Sequence, residues 1–272
     1  MTLRCGRFEL SLERPLVMGV VNVTPDSFSD GGRHLDPEAA ISHARRLIDE
    51  GVDLLDVGGE STRPGAAPVS EEEEMQRVLP VVEALRDFPV SVDTRRPKVM
   101  RAALGAGASM INDIEALQAP GAIETVAKSG CAVCLMHMKG TPQTMQREPS
   151  YGDVVMEVKA FLAGRIAACE AAGMARNRLV ADPGFGFGKT PEHNLALLKR
   201  LPEFAGLGVP LLAGWSRKSS LGRITGRDTG ERLAGSLAAA LLALLGGARI
   251  LRVHDVKETR DAVLVFEAWR KA

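Results

Sequence analysis

The feature that most constrains the fold of this chain is an alternation of short apolar segments with amphipathic segments, repeated eight times. The apolar segments are rich in β-branched residues and almost continuously apolar, which is typical of parallel strands covered by helices. The predicted strands are 15–24, 54–59, 90–94, 110–114, 132–138, 179–184, 210–215 and 250–255. The predicted helices are 37–50, 70–86, 96–106, 121–129, 153–173, 193–201, 231–247 and 257–270.

Eight strand–helix units in 272 residues predict an α/β fold in which the strands close into a (β/α)8 TIM barrel. No Pro-, Gly- or Ser-rich linker divides the chain, so residues 1–272 are expected to form a single domain. A doubly wound open sheet has the same element order, and the pattern alone does not distinguish the two. The alternating residues at 8–12 predict a strand of a short N-terminal β-hairpin at the bottom of the barrel.

Charge and composition exclude several classes of protein. The chain has 34 Lys and Arg against 34 Asp and Glu, which argues against a broad nucleic-acid or membrane-binding surface. With 45% hydrophobic residues it is not intrinsically disordered, and its four irregularly spaced cysteines do not make a disulfide framework. We find no apolar stretch typical of a signal peptide and none long enough for a membrane span, so we expect a cytoplasmic protein.

The predicted helix at 231–247 carries an expectation about assembly. A helix on the outside of a barrel normally has a polar face, whereas this one is apolar almost all round. Burial under the C-terminal helix would explain the pattern, but contact with a second copy explains it more directly. We therefore expect a homodimer.

Polar residues cluster where the predicted strands end, and TIM-barrel enzymes carry their active sites at these carboxyl ends. The residues found there are Asn22, Glu60, Ser61, Thr62, Arg63, Asp93, Asn112, His137, Asp182, Ser216, Arg217, Lys218, Ser219, Arg252 and His254. Any one of them could simply start a loop or cap a helix. The complete set is not expected from loops alone, so the sequence predicts an active site at this end.

The set has two chemical parts. Asp93, Asn112 and Asp182 come from different strands and offer acceptors suited to a flat heterocycle that carries several N–H donors. The last two strands supply cations where TIM barrels commonly bind phosphate, namely Arg217, Lys218, Arg252 and His254. His137 ends the fifth strand, where either a packing role or a place in the pocket wall is possible; we slightly favour the wall.

Two motifs resemble other kinds of site but match them poorly. The segment GFGFGKT at 184–190 resembles a phosphate-binding loop, but Pro183 stands where that motif requires Gly. Cys131 and Cys134 form a CxxC pair, but this spacing on a strand sends the two side chains to opposite faces. Neither motif therefore indicates a site by itself.

Eight segments resemble the successive motifs of the dihydropteroate synthase family. They are MGVVNVTPDSFSDGGR, DVGGESTRPGA, SVDT, INDI, MHMKGTPQTMQ, ADPGFGFGKT, SRKSSLG and RVHDV, in the family's order, over about residues 15–256. The resemblance implies an enzyme of folate biosynthesis. Such an enzyme condenses 6-hydroxymethyl-7,8-dihydropterin diphosphate with p-aminobenzoate to give 7,8-dihydropteroate and diphosphate, and sulfonamide drugs imitate its arylamine substrate.

The resemblance also implies roles for individual residues. The implied pterin and diphosphate site consists of Thr62, Asp93, Asn112, Met136, Asp182, Phe187, Lys218, Arg252, Val253 and His254. The implied p-aminobenzoate site consists of Phe28, Thr62, Arg63, Pro64, Lys218 and Ser219. Mg²⁺ is the implied cofactor, with Asn22 and Asp30 as its ligands. The implied catalytic residues, which stabilise the departing diphosphate and a pterin-methyl cation, are Asp93, Lys218, Arg252 and His254.

Three other functions share parts of this pattern. A pterin-dependent methyltransferase shares the barrel and the pterin-facing Asp and Asn residues but needs no diphosphate site, so SRKS and RVH count against it. A phosphosugar isomerase fits the fold but has no need for the acidic residues. A non-catalytic pterin-binding protein fits the pocket equally well but leaves the two Gly-rich loops after the first strands unexplained.

Overall fold

The computed structural model describes residues 1–24, 37–61 and 69–272. In these ranges the strands are β1 (Thr2–Cys5), β2 (Phe8–Ser11), β3 (Leu16–Asn22), β4 (Leu54–Gly58), β5 (Val90–Asp93), β6 (Met110–Asp113), β7 (Ala132–Met136), β8 (Leu179–Asp182), β9 (Leu212–Ala213) and β10 (Ile250–Val253). The α-helices are α1 (Pro37–Asp49), α2 (Glu71–Ala84), α3 (Pro97–Ala106), α4 (Ala122–Ala127), α5 (Val154–Ala171), α6 (Pro191–Lys199), α7 (Ser219–Thr225), α8 (Leu233–Leu245) and α9 (Val256–Lys271).

The eight strands from β3 to β10 are parallel and form one row in the order β8-β7-β6-β5-β4-β3-β10-β9. The two ends of this row meet, because Ala181 of β8 bridges in parallel to Leu211 directly before β9. The Ala181 N–H also donates to the Pro210 carbonyl at 3.0 Å. The sheet is therefore closed, which confirms the predicted TIM barrel over the open doubly wound sheet.

The hairpin of β1 and β2 covers the amino-terminal end of the barrel, as predicted. Its turn is attached by the Gly6 N–H, which donates to the Gly130 carbonyl at 3.1 Å. Leu3, Cys5 and Leu12 are buried in one cluster with the lower inner residues of the barrel. Those inner residues are Leu16, Met18, Leu54, Met110, Ala132, Cys134, Val180, Leu212 and Ile250.

This apolar layer positions the polar residues above it. Side chains on a strand alternate between faces, so a residue two positions further along points to the same interior. The residues reached in this way from the inner layer are Asp56, Asn112, Met136, Asp182 and Arg252. The barrel interior therefore changes from apolar at the bottom to charged at the carboxyl ends of the strands.

A second apolar cluster fills the space between the strands and the helices. Cys131 belongs to this outer cluster and Cys134 to the inner one, in agreement with the opposite faces predicted for the CxxC pair. In the described ranges, no helix combines the length and apolar character that a membrane span requires.

The observed elements differ from the predicted ones mainly at their ends. The sequence predicts a strand at 210–215, but β9 has only two residues. The chain turns soon after them, and the Lys218 N–H donates to the Trp215 carbonyl at 3.2 Å. Helix α6 begins earlier than predicted because Thr190 caps it in a capping box with His193, and Pro191 occupies the first turn. Helix α7 was not predicted, since its seven residues are too few to show an apolar period.

Candidate active site

Arg252 of β10 lies at the centre of a buried ionic network. Its Nε donates to Asp56 Oδ2 at 2.6 Å and its Nη2 donates to Asp93 Oδ2 at 2.8 Å. Asn112 donates from Nδ2 to the same Asp56 oxygen at 3.1 Å. Asp56 is fully buried. The Arg252 guanidinium therefore binds carboxyl groups from two neighbouring strands, Asp56 of β4 and Asp93 of β5.

The pKa values in this network reflect burial and neighbouring charge. Burial raises the pKa of Asp93 to about 7; Arg252 opposes the rise and the Asp56 carboxylate adds to it. Burial disfavours the charged form of Arg252, but the two carboxylates outweigh it and raise its pKa above the usual value. Arg252 is therefore a permanent cation, whereas Asp93 changes charge near neutral pH.

A second polar pair faces this network from β8 and the segment after β9. Burial raises the pKa of Asp182, and Lys218 opposes that rise. Burial likewise lowers the pKa of Lys218 to about 8 against the opposing effect of Asp182. The Lys218 ammonium donates to the Phe185 carbonyl and lies 4.6 Å from the centroid of the Phe187 ring. Met136 is buried at the end of β7.

Two acceptor atoms in the pocket lack a donor in the described part of the chain. They are Asp56 Oδ1 and Asn112 Oδ1, and both atoms are buried. A buried polar atom without a hydrogen bond costs about 1–3 kcal/mol. A flat ligand that carries several N–H groups would donate hydrogen bonds to such acceptor atoms.

Among the phosphate-binding cations predicted from the last two strands, His254 and Arg217 have different partners. His254 lies next to Ser216, whose Oγ accepts the His254 N–H at 3.1 Å and lies 3.0 Å from its Nδ1. Arg217 instead pairs with Asp255, its Nε donating to Oδ2 at 3.1 Å. Arg217 is therefore engaged outside the Arg252 network.

Val253, also implied in the pterin and diphosphate site, points its side chain away from the pocket. It follows the inward-facing Arg252 and belongs to the outer apolar cluster, because successive side chains on a strand point to opposite faces. Only its backbone is available to a ligand. Ser219, implied in the p-aminobenzoate site, is exposed and begins α7.

Asn22 ends β3 beside the ionic network. A Cβ placed on Gly58 would lie 3.7 Å from both Asn22 Oδ1 and Asp93 Cβ, so these two side chains flank Gly58. Among the described residues no group of three or more His, Cys, Asp or Glu could hold a metal ion. A single amide oxygen fits Mg²⁺, which retains waters and takes oxygens from a bound phosphate rather than needing a full set of protein ligands.

The remaining implied residues lie outside the described ranges. They are Phe28, Asp30, Thr62, Arg63 and Pro64. In the described part of the chain, the implied p-aminobenzoate site is therefore represented by Lys218 and Ser219 alone.

Residues 18–254 match the pterin binding enzyme family. The chain is 54% identical to dihydropteroate synthase of Escherichia coli (strain K12) over 262 residues, which cover 95% of this chain and 93% of that protein. The chain belongs to the dihydropteroate synthase family of pterin-binding enzymes.

Two solved structures show the same architecture within the dihydropteroate synthase family. The Yersinia pestis enzyme, in complex with a sulfonamide drug, has a TM-score of 0.95 at 50% identity and covers 100% of both chains. The Burkholderia cenocepacia enzyme, complexed with 7,8-dihydropteroate, has a TM-score of 0.91 at 52% identity, with 99% of this chain and 96% of that chain covered.

Sequence reasoning missed Asp56, which contacts both Arg252 and Asn112. A signal was present, since a lone carboxylate inside the apolar strand LLDVG must be buried and therefore needs a cation. The interpretation of His137 as a pocket wall was wrong. Its Nδ1 lies 3.0 Å from Lys189 Nζ and its ring packs edge-on against Phe161, 5.0 Å between centroids, so it is a packing residue.

Proposed function

We propose that this protein is a dihydropteroate synthase. It joins 6-hydroxymethyl-7,8-dihydropterin diphosphate to p-aminobenzoate and releases 7,8-dihydropteroate and diphosphate, a reaction of folate biosynthesis. The observation that supports this most directly is the buried floor of acceptors beside a permanent cation, with Asp56 Oδ1 and Asn112 Oδ1 lacking donors in the described chain.

The pterin lies in the barrel mouth with its amino and ring N–H groups toward the acceptors of Asn112 and Asp182. Asp182 retains one oxygen for this purpose, because its other oxygen accepts the Gly184 N–H at 2.7 Å. The Lys218 ammonium turns from the Phe185 carbonyl to the pterin carbonyl, a short movement for a long side chain. Met136 and Phe187 pack on the ring faces.

The diphosphate lies at the cationic end of the pocket. Arg252 remains positively charged throughout the accessible pH range, and His254, two residues further along the chain, is held by Ser216. Asn22, together with Asp30, would hold Mg²⁺ here. When bound, the ion neutralises charge on the diphosphate oxygens and thereby makes diphosphate a better leaving group.

The bond between the pterin methylene carbon and the diphosphate oxygen breaks first, and its electron pair leaves with the diphosphate. Asp93 lies beside the guanidinium of Arg252 and stabilises the resulting pterin-methyl cation when it is ionised. The lone pair of the arylamine then forms the C–N bond, and the amine loses a proton. This sequence needs no covalent bond between a side chain and the substrate.

The arylamine lies beside the pterin methylene carbon, where it attacks. We assign its site to Phe28, Thr62, Arg63, Pro64, Lys218 and Ser219. A sulfonamide drug, which imitates the arylamine, is bound by the Yersinia pestis relative. We therefore propose that sulfonamides inhibit this protein as well.

We further propose that the protein acts in the cytoplasm as a homodimer. The support for the dimer is that α8 keeps large apolar side chains exposed, Leu242 at 54% and Leu245 at 57%, although α9 packs beside it.

The decisive experiment is turnover. Purified protein is incubated with Mg²⁺, the pterin diphosphate and p-aminobenzoate, and dihydropteroate and diphosphate are quantified. We expect both products in equal amounts. Pterin binding without product would instead indicate a non-catalytic pterin-binding protein, and methyl transfer from a methylated folate to a corrinoid would indicate the methyltransferase.

A further inference from the structure

The loop that follows β8, residues 184–188, is held almost entirely by side chains. We call it the glycine loop. Each of its five backbone carbonyls accepts a hydrogen bond from a side-chain donor. The donors are Lys189 to Gly184 and to Phe187, both at 2.9 Å, Lys218 to Phe185, Gln146 to Gly186 at 2.6 Å, and Tyr151 to Gly188 at 2.7 Å.

The glycine loop is pressed against the backbone that follows β7. A Cβ placed on Gly184 would lie 1.9 Å from the His137 carbonyl oxygen, and one on Gly188 would lie 2.3 Å from the Lys139 carbonyl oxygen. Both glycines have positive φ, +69° and +64°. Neither position accommodates a Cβ unless the loop shifts, and in this conformation the carbonyls of Gly184 and Phe187 reach a single buried amine.

That amine is Lys189, whose side chain is almost completely buried. Its Nζ lies 3.0 Å from His137 Nδ1, 3.2 Å from the His137 carbonyl, and 2.9 Å from the carbonyls of Gly184 and Phe187. None of these four partners is a carboxylate, and burial lowers the pKa of Lys189 well below its usual value. The partners lie on two separate segments, the end of β7 and the glycine loop, so the amine links the two.

The glycine loop sets the positions of three residues that line the proposed pterin pocket. The Gly184 N–H donates to Asp182 Oδ1 at 2.7 Å. The Phe185 carbonyl accepts from Lys218, whose ammonium also lies over the Phe187 ring. A shift of this loop would therefore move the Asp182 carboxylate, the Lys218 ammonium and the Phe187 ring together.

We propose that Lys189 is a positioning residue for the pterin. Its amine joins the end of β7 to the glycine loop and holds Asp182, Phe187 and Lys218 in place before the ligand arrives. Lys189 does not contact the pterin itself. This inference rests on the proposed function, because it concerns the pterin pocket of that same reaction.

The test is the variant Lys189→Met, which keeps an unbranched side chain one atom shorter and removes its donors. We measure binding of unreactive 6-hydroxymethylpterin by calorimetric titration, and the KM for p-aminobenzoate at saturating pterin diphosphate. The pterin Kd should rise roughly 10- to 100-fold, the range usual when a group that orients binding residues is lost. The KM for p-aminobenzoate should rise by a smaller factor than the pterin Kd, because Lys218 alone among the three residues held by the glycine loop is also assigned to the arylamine site.

Arg178→Met is a matched control. Arg178 is also a buried cation that donates to backbone carbonyls, those of Cys131 at 2.8 Å and Val126 at 2.9 Å, but it lies at the amino-terminal ends of β7 and β8. It should lower the thermal midpoint much as Lys189→Met does and leave the pterin Kd unchanged. Equal weakening of pterin binding in the two variants would show that the effect follows stability and would overturn the inference.

Lys189→Gln provides a second route if Lys189→Met does not fold. It retains two N–H donors on a shorter side chain, so its pterin Kd should exceed the wild-type value by more than about threefold and stay below the range expected for Lys189→Met. A Kd within about threefold of the wild-type value in the folded variant would refute the positioning role. If the wild-type protein itself fails to bind the pterin, the proposed function fails first and the inference falls with it.

Discussion

Asp182 uses its two carboxylate oxygens differently, and this makes a sharp substitution possible. Oδ1 accepts the Gly184 N–H, which an asparagine oxygen can also do, so Asp182→Asn should preserve the fold. The second oxygen becomes an NH₂ group that faces donors of the pterin. We expect a loss on the order of 2–4 kcal/mol, or roughly 30- to 1000-fold in pterin affinity. Calorimetric titration measures it, and weakening below about threefold would remove Asp182 from the pterin floor.

Asp93 predicts a pH dependence of catalysis. Its pKa in the ligand-free protein is raised to about 7 by burial, and only the carboxylate stabilises a developing cation, so kcat/KM should fall as the pH is lowered through 7. Stability should change in the opposite direction. Relative to a pKa of about 3.9 in the unfolded chain, the folded protein holds this proton more tightly, so the contribution of Asp93 is greatest below about pH 4 and is lost as the pH rises through the folded pKa.

The pH profile of kcat/KM and urea unfolding of the wild type and Asp93→Asn test this expectation. In the variant, the free energy of unfolding should lack the part of the pH dependence that Asp93 causes. A wild-type kcat/KM that stays level between about pH 6 and pH 8 would contradict the role of ionised Asp93.

At the scale of single residues, the sequence could identify the polar residues at strand ends but not their partners. Asp93, Asn112, Asp182 and Arg252 were all predicted and do meet in the barrel mouth. Asp56 was missed because it lies inside a strand rather than at its end. Pairing depends on register between distant strands, which no local pattern contains.

At the scale of elements, we predict opposite outcomes for a glycine substitution in the glycine loop after β8 and one inside helix α5. Gly184→Ala places a Cβ 1.9 Å from the His137 carbonyl oxygen at a positive φ, so it should destabilise the fold by more than about 2 kcal/mol and weaken pterin binding. Gly164→Ala is the control, because Gly164 lies inside α5 with no neighbour within 4 Å of an added Cβ. It should stabilise the protein by about 0.5–1 kcal/mol.

Urea unfolding of both variants measures the two changes. A Gly184→Ala variant as stable as the wild type would show that the loop can move away from the end of β7. The inference about Lys189 would then lose its structural basis, since the same close approach brings the His137 carbonyl to the amine.

The elements themselves were predicted to within a few residues, with two informative failures. The segment 132–138 was extended past the observed end of β7 because His137 and Met138 look like further strand residues. Helix α7 and the shortness of β9 depend on turns after Trp215, where the chain bends to present Lys218. Both failures fall at the carboxyl ends of strands, where the geometry serves the pocket rather than the regular pattern.

At the scale of the whole molecule, closure of the barrel explains why the sequence pattern alone left two topologies open. Element order is the same in a doubly wound sheet, and the deciding contact is one bridge between Ala181 and Leu211. Once the sheet closes, the inward-facing residues of all eight strands share one interior. Residues separated by up to 196 positions, such as Asp56 and Arg252, can then form one network.

The last prediction concerns assembly. Burial under the C-terminal helix would have explained the apolar helix α8, but α9 packs beside it and still leaves Leu242 and Leu245 exposed. Leu264, Val265 and Trp269 of α9 are exposed as well. Exposed apolar side chains concentrated on two adjacent helices are typical of a protein interface.

Sedimentation equilibrium at micromolar concentration should therefore give the mass of a dimer for the wild type. Charging the surface with Leu242→Glu and Leu245→Glu together should give a folded monomer, because a dimer would bury both carboxylates without cations. Met156→Glu is the control, since Met156 is equally exposed but lies in the first turn of α5, where an acidic residue suits the helix. It should remain a dimer. A wild-type monomer would show that these side chains meet solvent, and the apolar face of α8 would need another explanation.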